Sequence, residues 1–91
     1  MTDIPAKPTG RDEVILRQLD DEWMIYDPRS HKMHVLNPTA ALVWLYCTGD
    51  NEFAAIVEAL QRVFEDQVSS EQLVADIEST LNRLMELGLF E

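Results

Sequence analysis

Two histidines and one cysteine are the residues of this chain best suited to metal binding or nucleophilic catalysis. His31 and His34 are three positions apart in a segment typical of a β-strand, where side chains alternate between opposite faces. A regular strand therefore keeps the two imidazoles from binding one metal ion. Cys47 lies in an apolar stretch, which favours a buried, unreactive thiol. We expect no catalytic centre, no metal site and no cofactor.

Carboxylates are abundant, but their spacing matches no metal-binding loop. Glu71, Asp76 and Glu78 lie on the polar side of a helical segment, and we interpret them as a solvated face. The single cysteine excludes an internal disulfide and a cysteine zinc cluster. These residues favour a binding or structural protein over an enzyme.

Charge is unevenly distributed along the chain. The 91 residues carry a formal net charge of −10, of which residues 50–91 contribute −8 through ten acids and two arginines. Nucleic-acid binding requires cations that displace counterions from phosphates. The acidic second half therefore opposes DNA binding.

Length and composition are those of one soluble domain with a modest core. The N-terminus lacks the apolar run of a signal peptide. No segment reaches the ~20 apolar residues that span a bilayer. We therefore expect a cytoplasmic protein that does not engage membranes.

The first half of the chain predicts a loose arm followed by a β-meander. Residues 1–13 contain Pro5, Pro8 and Gly10 and show no periodicity, so we interpret them as a flexible N-terminal arm before a domain over residues 14–91. The predicted strands are Val14–Leu19, Glu22–Tyr26 and His31–Leu36. Short turns at Asp20–Asp21 and Asp27–Ser30 imply an antiparallel sheet with the third strand at one edge.

A short apolar helix follows the third strand and is expected to organise the core. Asn37 is a favourable N-cap residue, and Pro38 suits the first helical position. Residues 40–47 are all apolar or aromatic, including Trp44, which predicts a helix buried on every side. Gly49 is placed to end this helix in a left-handed conformation.

Two amphipathic helices complete the predicted architecture, an α+β, winged-helix-like fold with a three-stranded antiparallel sheet followed by three helices. Asp50 or Asn51 is expected to cap the second helix, and Ser69 or Ser70 the third. The apolar arc of the third helix is wider than the ~100° that ordinary core packing needs. Part of that arc is therefore available as the wall of a groove.

The third strand is the most informative feature of the pattern. His31–Leu36 contains no proline and one lysine, so little in its sequence protects the edge from pairing with another strand. A peptide could add there through main-chain hydrogen bonds. The N-terminal arm or a second copy of the domain could cover the same edge, and the residues leave these alternatives open.

The order of elements and motifs resembles the PqqD-like peptide chaperones of pyrroloquinoline quinone biosynthesis, members of the class called RiPP recognition elements. The matching residues are Tyr26–Pro28, Val35–Ala41, Val43–Trp44, Gly49, Ile56–Val57, Leu60, Leu84 and Leu87–Leu89. Leu36-Asn37-Pro38 before an apolar helix is the most distinctive of these matches. Thr48 stands where the family often has Asp, and Asp50 and Asn51 where it often has Ser or Thr.

The resemblance implies a domain that performs no chemistry itself. It would bind the leader of a ribosomally made precursor peptide as an added strand and present it to a modifying enzyme, often a radical S-adenosylmethionine enzyme. On this chain, one side of the implied groove is Lys32, Met33, His34, Val35 and Leu36. The opposite wall would be Ile77, Leu81, Leu84 and Met85. The alternatives are a DNA-binding winged helix, which the charge opposes, and an oligomerisation module or homodimer that uses the same edge.

Overall fold

The computed structural model describes residues 5–91, apart from the side chain of Asp66, so the first four residues of the expected arm lie outside it. The strands are β1 (Ile15–Leu19), β2 (Glu22–Asp27) and β3 (Lys32–Leu36). The helices are α1 (Pro38–Leu45), α2 (Phe53–Phe64) and α3 (Ser70–Glu86), with a 3₁₀ turn at Glu65–Gln67. The predicted α+β order of three strands and three helices is confirmed.

The sheet is antiparallel, with β2 in the centre and β3 at one edge. Met24 lies opposite Val35 and Ile25 opposite His34, so the side chains of alternate residues share a face. Ile25 and Leu36 are buried on the inner face, whereas the outer face is exposed. This register leaves β3 available on the side away from β2.

The N-terminus of α1 forms as its sequence predicts. The Asn37 side-chain oxygen accepts a hydrogen bond from the backbone N–H of Ala40 at 2.8 Å, and Pro38 occupies the first turn. The helix ends earlier than expected, with Tyr46 as its C-cap. Gly49 does adopt a left-handed φ of 88°, but it lies beyond the helix end and donates its N–H to the Pro8 carbonyl.

Burial of α1 is one-sided, which corrects the expectation of a helix enclosed on all sides. Ala40, Ala41 and Val43 are buried, while Leu45 is 53% exposed and Trp44 is partly buried. The helix packs against β2, β3, α2 and α3. It is central to the domain, but too few elements surround its last turn to cover Leu45.

Residues 8–13 are part of the packed domain, which corrects the expected boundary between residues 13 and 14. Pro8 is fully buried, and Gly10 donates its N–H to the Cys47 carbonyl at 2.9 Å. Arg11 donates its backbone N–H to the Leu89 carbonyl at 2.9 Å. The segment therefore lies between the end of α1 and the C-terminal tail, residues 87–91. Its order depends on these partners far away in the sequence and not on a local periodic pattern.

A buried ion pair fixes this segment to the sheet. The Arg11 guanidinium donates two hydrogen bonds to the Asp27 carboxylate, at 2.8 and 3.2 Å, and one to the Gly88 carbonyl at 2.6 Å. Hydrogen bonding from Arg11 lowers the pKa of Asp27 to about 2, although burial acts in the opposite direction. The pair joins the N-terminal segment, β2 and the C-terminal tail.

Of the two helix caps predicted in the second half of the chain, one forms as predicted. The Ser69 hydroxyl accepts a hydrogen bond from the Gln72 backbone N–H at 3.2 Å and caps α3 as predicted. Glu52 is the N-cap of α2, without a side-chain hydrogen bond. Asn51 instead donates from its side chain to the Tyr46 carbonyl at 3.0 Å, so it stabilises the α1–α2 connection rather than the helix.

Candidate functional site

The outer edge of β3 carries no paired strand among residues 5–91. The nearest candidate within the chain, the N-terminal segment, forms β-bridges elsewhere, from Thr9 to Thr48 and from Gly10 to Phe90. The possibility that the arm covers the edge is therefore wrong for its described part. In an edge strand, the N–H and C=O groups of alternate residues face away from the sheet, so β3 offers a template for strand addition.

A cavity of about 170 Å³ lies where the end of β3 faces α3. Val35, Leu36, Asn37 and Ala40 line it on the side of β3 and α1. Ser79, Thr80, Arg83 and Leu84 line it on the side of α3. An engineered cavity of about 150 Å³ is large enough to hold benzene, so this one has room for a single amino-acid side chain.

The structure brings together three of the residues expected to form the groove, namely Val35, Leu36 and Leu84. Ile77 and Leu81 are each 0% exposed and belong to the core. Neither lines the cavity, which places them outside this part of the expected wall. Leu84 is equally buried, but it does line the cavity. Met85 is partly buried and does not line the cavity.

The position of the wall follows from how α3 packs. The centre of its apolar stripe, which contains Ile77 and Leu81, packs into the hydrophobic core. A second surface on the same helix must then come from the flank of that stripe. Thr80 lies three residues beyond Ile77, and Arg83 lies three residues beyond Thr80, so the two follow one side of the stripe. Sequence reasoning missed both, although their place beside the apolar arc was a usable signal.

Lys32, Met33 and His34 lie farther along the same edge and do not line this cavity. His34 is on the inner face opposite the buried Ile25 and is partly buried itself. Met33 and Val35 are on the outer face, each 58% exposed. These residues remain candidates for contacts along an added strand.

The outer face of the sheet is unusually apolar for an exposed surface. Ile15, Leu19 and Met33 are 44%, 56% and 58% exposed, and with Arg17, Met24 and Tyr26 they line a cleft of about 340 Å³. Exposed apolar patches of this kind are typical of interaction surfaces.

Cys47 and His31, two of the residues with potential reactivity, each contact another residue of the domain. Cys47 is buried, its thiol contacts the Val43 carbonyl at 3.2 Å, and burial raises its pKa to about 12. A thiol in this setting is a poor nucleophile. His31 lies in the turn before β3, with its ring 3.3 Å from the Tyr26 hydroxyl. Among residues 5–91, no cluster of His, Cys, Asp and Glu has the geometry of a metal site.

None of the helices in the described part of the chain has both the length and the apolar character needed to cross a membrane. The longest of them, α3, carries acids and an arginine on its exposed side.

A sequence model of the family described as coenzyme PQQ synthesis protein D (PqqD) matches residues 22–89. The chain belongs to the PqqD family. The match begins at β2 and ends in the C-terminal tail, so both walls of the cavity lie within the family's region. The family to which the order of elements and motifs pointed is thereby confirmed. A search of curated protein sequences gives no match.

Two solved structures share the fold of this PqqD-family chain. The lasso peptide synthetase B1 complexed with its leader peptide has a TM-score of 0.76 and 27% sequence identity, over 94% of this chain and 99% of the other. TbiB1 in complex with the TbiA(beta) leader peptide has a TM-score of 0.71 and 20% identity, over 91% of this chain and 94% of the other. Both were solved with a leader peptide bound.

Proposed function

We propose that this PqqD-family protein binds the leader segment of a ribosomally synthesised precursor peptide and presents the peptide to a modifying enzyme. The leader adds as a strand beside β3 and sends side chains toward α3. The domain itself carries out no chemistry. The partner enzyme belongs to the class that modifies such precursors, and a radical S-adenosylmethionine enzyme is our specific candidate.

The observation that carries this proposal is an open strand edge beside a cavity of side-chain size. Backbone N–H and C=O groups on the side of β3 away from β2 can form hydrogen bonds with any extended peptide. The cavity between Val35 and Arg83 can then select one side chain of that peptide. This combination of backbone pairing and a side-chain pocket is suited to peptide recognition. Membership of the PqqD family and the two leader-bound relatives support the same function.

The direct test first looks beside the gene for this protein for a short reading frame that could encode the precursor, and uses the peptide found there as the neighbouring precursor. Fluorescently labelled peptides for the leader and for the core are titrated separately with the domain, and anisotropy is recorded. We expect saturable binding of the leader and none of the core. A domain that binds neither peptide, or binds only the core, contradicts the proposal.

A second candidate function is self-association, which the exposed apolar sheet face favours. Two copies could pair their β3 edges or pack Ile15, Leu19 and Met33 against each other. Size-exclusion chromatography over a range of concentrations distinguishes the two functions. A dimer that dissociates when leader is added would show that both use the same edge, whereas a concentration-independent monomer removes this candidate.

A further inference from the structure

The cavity between β3 and α3 is chemically distinct from the rest of this acidic protein. The chain has 17 acids and 7 lysines and arginines, yet no carboxylate lines the cavity. Its one charged lining residue is Arg83, accompanied by the hydroxyls of Ser79 and Thr80. A guanidinium with neighbouring hydroxyl donors is a set of groups suited to a carboxylate.

Arg83 also differs from the other arginine in the second half of the chain. Arg62 on α2 pairs with Glu58, one helical turn earlier, at 2.8 Å. Ser79 and Leu87 lie four positions before and after Arg83, and Glu86 lies three positions after it without forming a salt bridge to it. The salt bridges within residues 5–91 do not include Arg83. Its guanidinium is therefore available to a ligand at the cavity.

The surroundings of the cavity strengthen this preference. Glu71, Glu78 and Glu86 line the adjoining exposed face of α3. Arg83 and Ser79 border both this face and the cavity. The three carboxylates disfavour a peptide carboxylate on the exposed face, whereas no carboxylate opposes it where Arg83 borders the cavity. The local arrangement of charge can therefore fix the register of a bound strand, as well as contribute to its affinity.

We propose that the leader recognised by this domain carries an aspartate or glutamate whose side chain enters this cavity and pairs with Arg83. The apolar part of that side chain lies against Val35, Leu36, Ala40 and Leu84, while the carboxylate lies at the Arg83 rim. This inference rests on the proposed leader binding and defines the class of leader. Acidic leaders in one register bind, and those with a basic residue at that position are rejected.

The test uses mRNA display, in which the immobilised domain selects binders from a library of random 20-residue peptides. Each peptide is joined through its C-terminus to the mRNA that encodes it. This fusion removes the free terminal carboxylate, so that only side chains can supply an acid. The immobilised domains are the wild type, Arg83→Glu and Arg62→Glu. The last is the matched control, because it changes the net charge equally on an exposed helix face that does not line the cavity.

We expect the wild type and Arg62→Glu to enrich peptides with Asp or Glu at one fixed position. Arg83→Glu should lose that preference and select Lys or Arg there. A peptide selected by the wild type should bind Arg83→Gln about tenfold more weakly, the loss expected for one hydrogen bond between charged groups. Circular dichroism establishes that each variant is folded.

Two outcomes would overturn the assignment of Arg83 alone, and a third would overturn the proposed function as well. If the wild type selects β3-dependent peptides without an acidic position, the assignment of Arg83 is wrong and peptide binding stands. If Arg83→Glu retains the acidic preference, the carboxylate is recognised elsewhere and the assignment is also wrong. If the wild type enriches no peptides that compete with the leader of the neighbouring precursor, the proposed function fails together with this inference.

Discussion

Gly10 is a residue whose role depends on close packing. A Cβ atom added there would lie 2.5 Å from the Trp44 ring, and Trp44 in turn stacks on Phe90 with ring centroids 6.3 Å apart. We therefore expect Gly10→Ala to destabilise the domain by about 1–3 kcal/mol, the usual cost of overpacking. Urea unfolding measures this change.

The control for Gly10→Ala is a double-mutant cycle with Trp44→Leu, which removes the ring that the new methyl group meets. In the Trp44→Leu background, Gly10→Ala should cost measurably less. An equal cost in both backgrounds would show that Trp44 does not restrict this position.

Asp27 predicts a specific dependence of stability on pH. Arg11 holds the pKa of Asp27 at about 2, below its ordinary value of 3.8. Because the pKa of Asp27 is lower in the folded state than in the unfolded state, the stabilisation from the pair is complete at pH values above the unfolded-state pKa. It is lost as the pH falls through the folded-state pKa. The difference in unfolding free energy between wild type and Asp27→Asn should thus be constant above about pH 5 and shrink as the pH falls from there toward 2. A difference that stays the same from pH 7 to pH 2 contradicts the ion pair.

At the scale of elements, β3 should be sensitive to proline in an alternating manner. His34 and Val35 are neighbours, so the N–H of one faces β2 and that of the other faces away from the sheet. Proline removes the N–H and fixes the local backbone. One of His34→Pro and Val35→Pro should abolish leader binding while the domain remains folded, and the other should disrupt the sheet.

Two alanine variants separate backbone from side-chain effects at these positions. His34→Ala and Val35→Ala keep the N–H groups and should retain most of the affinity if backbone pairing dominates. Circular dichroism reports the fold and anisotropy reports binding for all four variants. Retention of both fold and binding in both proline variants would exclude strand addition at β3.

The elements that could be predicted from sequence are those with local signals. The strands, the Asn37 cap of α1 and the Ser69 cap of α3 depend on residues close in the chain, and the structure confirms them. The packed N-terminal segment was missed because Pro8 and Arg11 find their partners near residues 47–49 and in the C-terminal tail. Contacts between residues far apart in the sequence produce no periodic pattern from which they could be predicted.

The candidate site, too, could be predicted from the sequence only in part. The β3 side of the cavity was predicted because an unprotected edge is visible in the sequence. The α3 side was assigned to Ile77, Leu81, Leu84 and Met85. Leu84 lines the cavity, whereas Ile77 and Leu81 are buried in the core away from it. An apolar arc indicates that one side of a helix is packed. It does not show whether the packing partner is the core of the same domain or a ligand. The flanking Thr80 and Arg83 were found only once the packing was known.

At the scale of the whole molecule, charge argues against a nucleic-acid function for this winged-helix-like fold. Residues 50–91 carry a net −8, and binding to a duplex depends on cations that release phosphate counterions. We expect no measurable binding to duplex DNA at physiological salt in an anisotropy assay. Sub-micromolar binding that weakens as salt is raised would support the alternative function.

A leader peptide that occupies the edge of β3 next to α3 should change the environment of the backbone amides on both elements. The most direct measurement is a titration of ¹⁵N-labelled domain with the leader of the neighbouring precursor, following backbone amide chemical shifts. We predict that the largest changes fall on Lys32–Leu36 and on residues 79–84, with smaller changes on α2. Changes that cluster on α2 or β1 and leave Lys32–Leu36 unaffected would contradict the account.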